Sequence, residues 1–98
     1  MEVGFRTTRL RTCYEQHREA EREWGAAVAR RYVQRVNLLH TVETVQDLSA
    51  TRALRFHELK GDRRGQYALG LDRRMRLIVT FPAPGVVQVE EVSRHYGD

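Results

Sequence analysis

The sequence predicts an α+β domain, and three observations carry the prediction. Apolar side chains recur at three- and four-residue steps between Leu10 and Leu39. Short alternating or continuous apolar runs, rich in Val, Ile, Thr, Tyr and Phe, follow from Leu54 to Val92. The second half is punctuated by Gly61, Gly65 and Pro82-Ala83-Pro84-Gly85. A helical period followed by a strand period describes helices laid on one face of a sheet. We expect a short edge strand, then two N-terminal helices packed on a four- to five-stranded, mainly antiparallel sheet. At 98 residues the chain is long enough for one core and too short for two, so residues 1–98 form a single domain.

Val3-Gly4-Phe5-Arg6 alternates apolar with small or charged groups, as an edge strand does. Thr7 and Thr8 are N-cap residues for a helix running to about Trp24, with Leu10, Cys13, Tyr14, His17, Ala20 and Trp24 along or beside its buried stripe. His17 reads as a packed histidine and stays outside the site. Gly25 interrupts the pattern, and Val28, Tyr32, Val36 and Leu39 mark a second helix antiparallel to the first. Its outer face carries Arg30, Arg31 and Arg35, a basic face that could touch nucleic acid but reads first as solubilising charge. Thr44-Val45-Gln46-Asp47 has the form of a capping box opening a short helical turn.

Phe56 and Leu59, the turn from Gly61 to Gly65, and then Tyr67, Leu69 and Leu71 describe a hairpin. Met75-Arg76-Leu77-Ile78-Val79-Thr80-Phe81 is an interior strand, and Val86 to Val92 returns beside it after the proline turn. Arg76 breaks the apolar run. A charge there is costly unless it reaches solvent at the strand end or lines a cleft that takes an anion.

The net charge of +4 is concentrated: residues 52 to 76 hold eight basic and three acidic side chains, the remainder nine and ten. A focused basic segment without an amphipathic basic helix favours a nucleic acid over a membrane as partner. No apolar run approaches the roughly 20 residues of a membrane span, and the first residues lack a signal-peptide core, so a cytoplasmic protein with no membrane partner is expected. Cys13 stands alone, which leaves no internal disulfide and no cysteine-based zinc spacing; neither a metal nor a cofactor is expected.

The hairpin is where chemistry concentrates. His57, Lys60, Arg63 and Arg64 surround two glycines, and Lys60 is the only lysine among seventeen basic residues. The chain then ends Arg94-His95-Tyr96-Gly97-Asp98, with an imidazole and a phenol directly after a core strand.

His57-x-Leu59-Lys60-Gly61-Asp62-Arg63-x-Gly65, Arg76-Leu77-Ile78 and the terminal His95-Tyr96, in a layout of strand, two helices and four strands, resemble the RelE/ParE superfamily of bacterial toxins. The resemblance covers essentially the whole chain, is nearest to the HigB-like and RelE-branch messenger RNA interferases, and implies a RelE-like fold. It also implies the toxin of a type II toxin-antitoxin system, which enters the ribosomal decoding site and cuts messenger RNA without a metal ion. Position by position it assigns catalysis to His57, Lys60 and Arg76, with His95 or Tyr96 as the general acid. RNA contacts fall to Arg55, Arg63, Arg64, Arg73, Arg74 and Arg94. The ending departs from the Asp-Tyr-His of many HigB-like toxins towards the His-Tyr of YoeB-type ones, and Glu58 stands where many relatives have proline.

The implied partners are a cognate antitoxin of the HigA-like helix-turn-helix kind, the ribosome and its message, with DNA met only through the antitoxin complex. Antitoxin docking is expected over Tyr32, Val36 and neighbouring apolar positions, away from the cleft. Two other readings remain: a ParE-like inhibitor of DNA gyrase without ribonuclease activity, and a basic RNA-binding domain without catalysis.

Overall fold

The computed structural model describes residues 1–94; the predicted general acids His95 and Tyr96 lie outside the described residues. The fold is α+β. Strand β1 (Glu2–Phe5) leads into helices α1 (Thr8–Glu15), α2 (His17–Trp24), α3 (Ala26–Thr41) and α4 (Val45–Ser49). Strands β2 (His57–Glu58), β3 (Tyr67–Gly70), β4 (Met75–Ala83) and β5 (Val86–Arg94) follow, with short 3-10 turns at Arg52–Leu54 and Gly61–Arg63. No helix among the described residues is long and apolar enough to cross a membrane.

The five strands lie in the order β1-β5-β4-β3-β2. Every neighbouring pair is antiparallel except β1 and β5, which run parallel with Glu2 opposite Val86 and Phe5 opposite Val89. The expected edge strand is present. Its parallel pairing needs a long crossover, and the whole helical region supplies one.

The single helix expected from Thr8 to Trp24 is two. Gln16 adopts an extended conformation (φ −125°, ψ 96°) and ends α1 by donating its N–H to Thr12 O. The break lets Arg9 reach Glu19 at 2.9 Å and Glu23 at 2.8 Å. In a continuous helix residues 9 and 23 would stand about 21 Å apart along the axis. His17 therefore leaves the apolar stripe: it is exposed, 4.0 Å from Glu21. At Gly25 the chain turns with φ 83°, a left-handed conformation that favours glycine.

The sheet's helix-side face packs Leu69, Leu77, Val79, Val87 and Val89 against Leu10, Cys13, Val28, Tyr32, Val36 and Leu39. Tyr32 and Val36 are wholly enclosed, and the Tyr32 hydroxyl donates to Leu10 O at 2.7 Å. Neither side chain can touch a partner, so a partner on this helix would meet its half-buried and exposed residues instead. Thr44 and Asp47 form the full capping box of α4, the Thr44 hydroxyl accepting from Asp47 N–H and the Asp47 carboxylate from Thr44 N–H.

The opposite face positions the site. Register places His57 beside Ala68, Ala68 beside Ile78, and Gly70 beside Arg76, which has Ser93 on its other side. Leu59, Ala68 and Ile78 make a small buried cluster there. Beyond it Gly70, which has no side chain, makes room for the Arg55 guanidinium, and open space lies beside these residues and Arg76.

Candidate active site

That space is a cleft of about 230 Å³, lined by Arg55, His57, Ala68, Gly70, Asp72, Arg73, Met75 and Arg76. Of the two outcomes open to Arg76 in the sequence, the structure shows the second: the side chain lines the cleft and is only 7% exposed. Three more of the residues singled out for RNA, His57, Arg55 and Arg73, share this cleft. Three guanidinium groups and one imidazole thus surround a volume open to solvent.

Arg55 shapes the site with its backbone as well as its side chain. It has φ 50° and ψ 38°, making it the one non-glycine residue with positive φ among the described residues. Such a conformation is strained for a side-chain-bearing residue and persists where surrounding contacts hold it. Here Arg55 Nη2–H donates to Asp72 O at 2.6 Å, and Arg55 O lies 2.8 Å from His57 Nδ1. A carbonyl only accepts, so Nδ1 carries the proton in that bond. In the neutral ring Nε2 is then the basic nitrogen.

Asp72 shapes the rim. Its Oδ1 accepts from Arg74 N–H at 2.8 Å and Met75 N–H at 2.6 Å, closing the β3–β4 turn that presents Arg73. The Arg74 side chain is exposed outside the cleft lining.

The rest of the hairpin is arranged differently. Lys60 is exposed and precedes the Gly61–Arg63 turn, where its carbonyl accepts from Arg63 N–H; it does not line the cleft. The Arg63 guanidinium is held by Gln66 Oε1 at 2.8 and 3.0 Å and by the Glu91 carboxylate of β5. It pins the hairpin tip across the sheet. Arg64 is exposed. Glu58 accepts from Gly65 N–H at 2.9 Å, so this carboxylate stabilises the turn. Arg94 is exposed at the end of β5, opposite Met75 in register.

Two arginines that the sequence placed on a basic outer face contribute more than it showed. Arg31 Nη1–H donates to Leu71 O at 2.6 Å and Arg35 Nε–H to Gly70 O at 3.1 Å, so these arginines tie α3 to the end of β3 and are not merely solubilising charge. Burial, with Arg31 and Arg55 nearby, draws the Arg35 guanidinium below its ordinary pKa. The available signal was their spacing of one helical turn, which places both on one face.

The same architecture occurs in solved structures. The chain aligns with the YoeB-YefM complex from Staphylococcus aureus at TM-score 0.63 and 11% identity, over 98% of both chains. It aligns with the YoeB/ParE toxin from Agrobacterium tumefaciens at TM-score 0.58 and 18% identity, over 98% of this chain and 100% of the other. With YafQ from E. coli strain BL21(DE3) the TM-score is 0.62 at 7% identity, over 96% and 92%. Neither a family model nor a curated protein sequence matches the chain. The fold is thus the RelE/ParE toxin fold that the sequence resemblance implied; at such identities the likeness is one of fold, and it does not single out the HigB-like branch.

Proposed function

We propose that this chain is the toxin of a toxin-antitoxin pair, an endoribonuclease that cuts messenger RNA in the ribosomal A site and so halts translation in the cytoplasm. The observation that carries the reading is the cleft in which His57 and Arg76 meet with Arg55 and Arg73. Cleavage by the neighbouring 2′-hydroxyl needs a base, cations for the pentacoordinate phosphorane and an acid for the departing oxygen.

His57 Nε2 takes the 2′-hydroxyl proton, with Nδ1–H anchored on Arg55 O. The 2′-oxygen attacks the adjacent phosphorus, and the bond from phosphorus to the 5′-oxygen breaks. Arg76 and Arg73 hold the non-bridging oxygens, and Lys60 adds charge from the hairpin. His95 or Tyr96 gives the 5′-oxygen its proton. The products are a 2′,3′-cyclic phosphate and a 5′-hydroxyl, and every step is supplied by a side chain. Arg64, Arg74 and Arg94 contact the RNA backbone from outside the cleft. Arg63 keeps its bond to Glu91 and acts on RNA through the hairpin it fixes.

The ribosome orders the substrate, because a cleft this small has few groups to align a flexible strand. A cognate antitoxin of the HigA-like kind is the protein partner, and DNA is met only through their complex. One of the fold relatives is itself the YoeB-YefM complex.

The test is end-group analysis of message cut by purified ribosomes plus the protein, in the presence of a chelator. The expected products are cyclic phosphate and 5′-hydroxyl ends, with His57→Gln and Arg76→Gln each slowing cleavage about a hundredfold or more. Products bearing 5′-phosphates, or full activity in His57→Gln, would refute this mechanism.

A further inference from the structure

Three guanidinium groups converge on three consecutive carbonyls at the end of β3. Arg35 bonds Gly70 O, Arg31 bonds Leu71 O and Arg55 bonds Asp72 O, at 3.1, 2.6 and 2.6 Å. Among the described residues none of the three has a carboxylate within ion-pair distance. The acid nearest in sequence, Asp72, turns its Oδ1 to the backbone of its own turn. A guanidinium has five N–H donors, so each arginine is oriented by one bond and keeps donors for another acceptor.

Gathering like charges without a counter-charge costs free energy and is relieved by an anion. Planar guanidinium forks match phosphate oxygens, and this clamp is accessible: Arg31 and Arg55 are exposed and Arg35 half-buried. Gly70, Asp72 and Arg55 also line the cleft. The clamp therefore stands on the cleft rim, where the edge of β3 faces α3.

We propose that Arg31 and Arg35 form a second phosphate subsite, which takes a phosphodiester of the same RNA strand beside the linkage held in the cleft. Arg55, with one side in the cleft and one on the clamp, joins the two. The strand leaves the cleft over the edge of β3 towards α3. This rests on the reading of the cleft as an RNA site, and the experiment separates the two.

The probe is a 2′-O-methyl heptanucleotide, which has no free 2′-hydroxyl and cannot be cut. Binding is measured with a neutral methylphosphonate placed at each linkage in turn, using the wild-type protein, so that no folding defect intervenes. Two linkages should each lose affinity when neutralised. Arg31→Gln, which keeps an amide donor for Leu71 O, should abolish the second sensitivity and lower the slope of log affinity against log salt by about 0.7, as for one lost phosphate contact.

A single sensitive linkage, with Arg31→Gln matching wild type in affinity and slope, overturns the second subsite and leaves the cleft standing. The same result would follow if the clamp served ribosomal RNA, which the heptanucleotide lacks. No sensitive linkage, together with unchanged binding in Arg73→Gln, removes the cleft reading and the subsite with it.

Discussion

At position 70 an added β-carbon would lie 2.5 Å from Arg55 Nη2 and 2.8 Å from Arg55 Nε. The obstacle is the far end of a flexible side chain, so Gly70→Ala should fold and displace the guanidinium from Asp72 O. We expect a stability loss of about 1 kcal/mol, the usual worth of one such hydrogen bond, and a larger proportional loss of cleavage, read from a melting curve beside an activity assay. Lys60 provides a second prediction. Lys60 stands outside the cleft lining and adds charge from the hairpin, so Lys60→Ala should lower the cleavage rate less than Arg76→Gln does, while Arg30→Ala, on the exposed face of α3, changes little. Equal losses would mean that positive charge merely holds RNA. Arg55 and Arg73 could be named from the sequence because they fall within one charge-dense segment, and His57 and Arg76 because the motifs around them resemble those of the toxins. Arg31 and Arg35 showed only a shared helix face, since their carbonyl partners are 40 and 35 residues away and leave no local pattern. Arg63 shows the converse: its turn was legible, but its bond to Glu91 depends on a strand 28 residues on.

Elements set by short-range signals were legible, and those set by tertiary contacts were not. The α4 capping box was readable because both partners lie within four residues. Thr44→Ala should cost about 1 kcal/mol in a denaturant titration. Backbone N–H groups of Thr44 and Glu43 hold the Asp47 carboxyl below its ordinary pKa. A lowered folded-state pKa gives a contribution that is full above the unfolded value and lost as pH falls through the folded one. The stability difference between wild type and Asp47→Asn should therefore be constant near neutrality and shrink below about pH 4. The break at Gln16 had no such signal. No glycine or proline marks it, and its compensation, the Arg9 bridges to Glu19 and Glu23, exists only once α1 and α2 have separated. The parallel pairing of β1 with β5 is equally non-local, joining the first strand to the last.

For the whole molecule, the sheet divides the labour: one face is sealed by the helices, and the other carries the cleft, with the hairpin pinned across it by Arg63 and Glu91. Enclosure of Tyr32 and Val36 keeps those two side chains out of any interface. The fold class could be read because period and punctuation change together near residue 50, whereas the cleft depends on the register of Gly70 and Arg76, which no single strand reveals. The most direct test of the central claim is primer extension on a defined message in a translating extract, with and without the protein, beside a gyrase supercoiling assay. The account predicts new 5′ ends within the translated region, lost when translation is blocked before elongation and lost with His57→Gln, while supercoiling proceeds. Intact message with inhibited supercoiling would contradict it in favour of the gyrase reading.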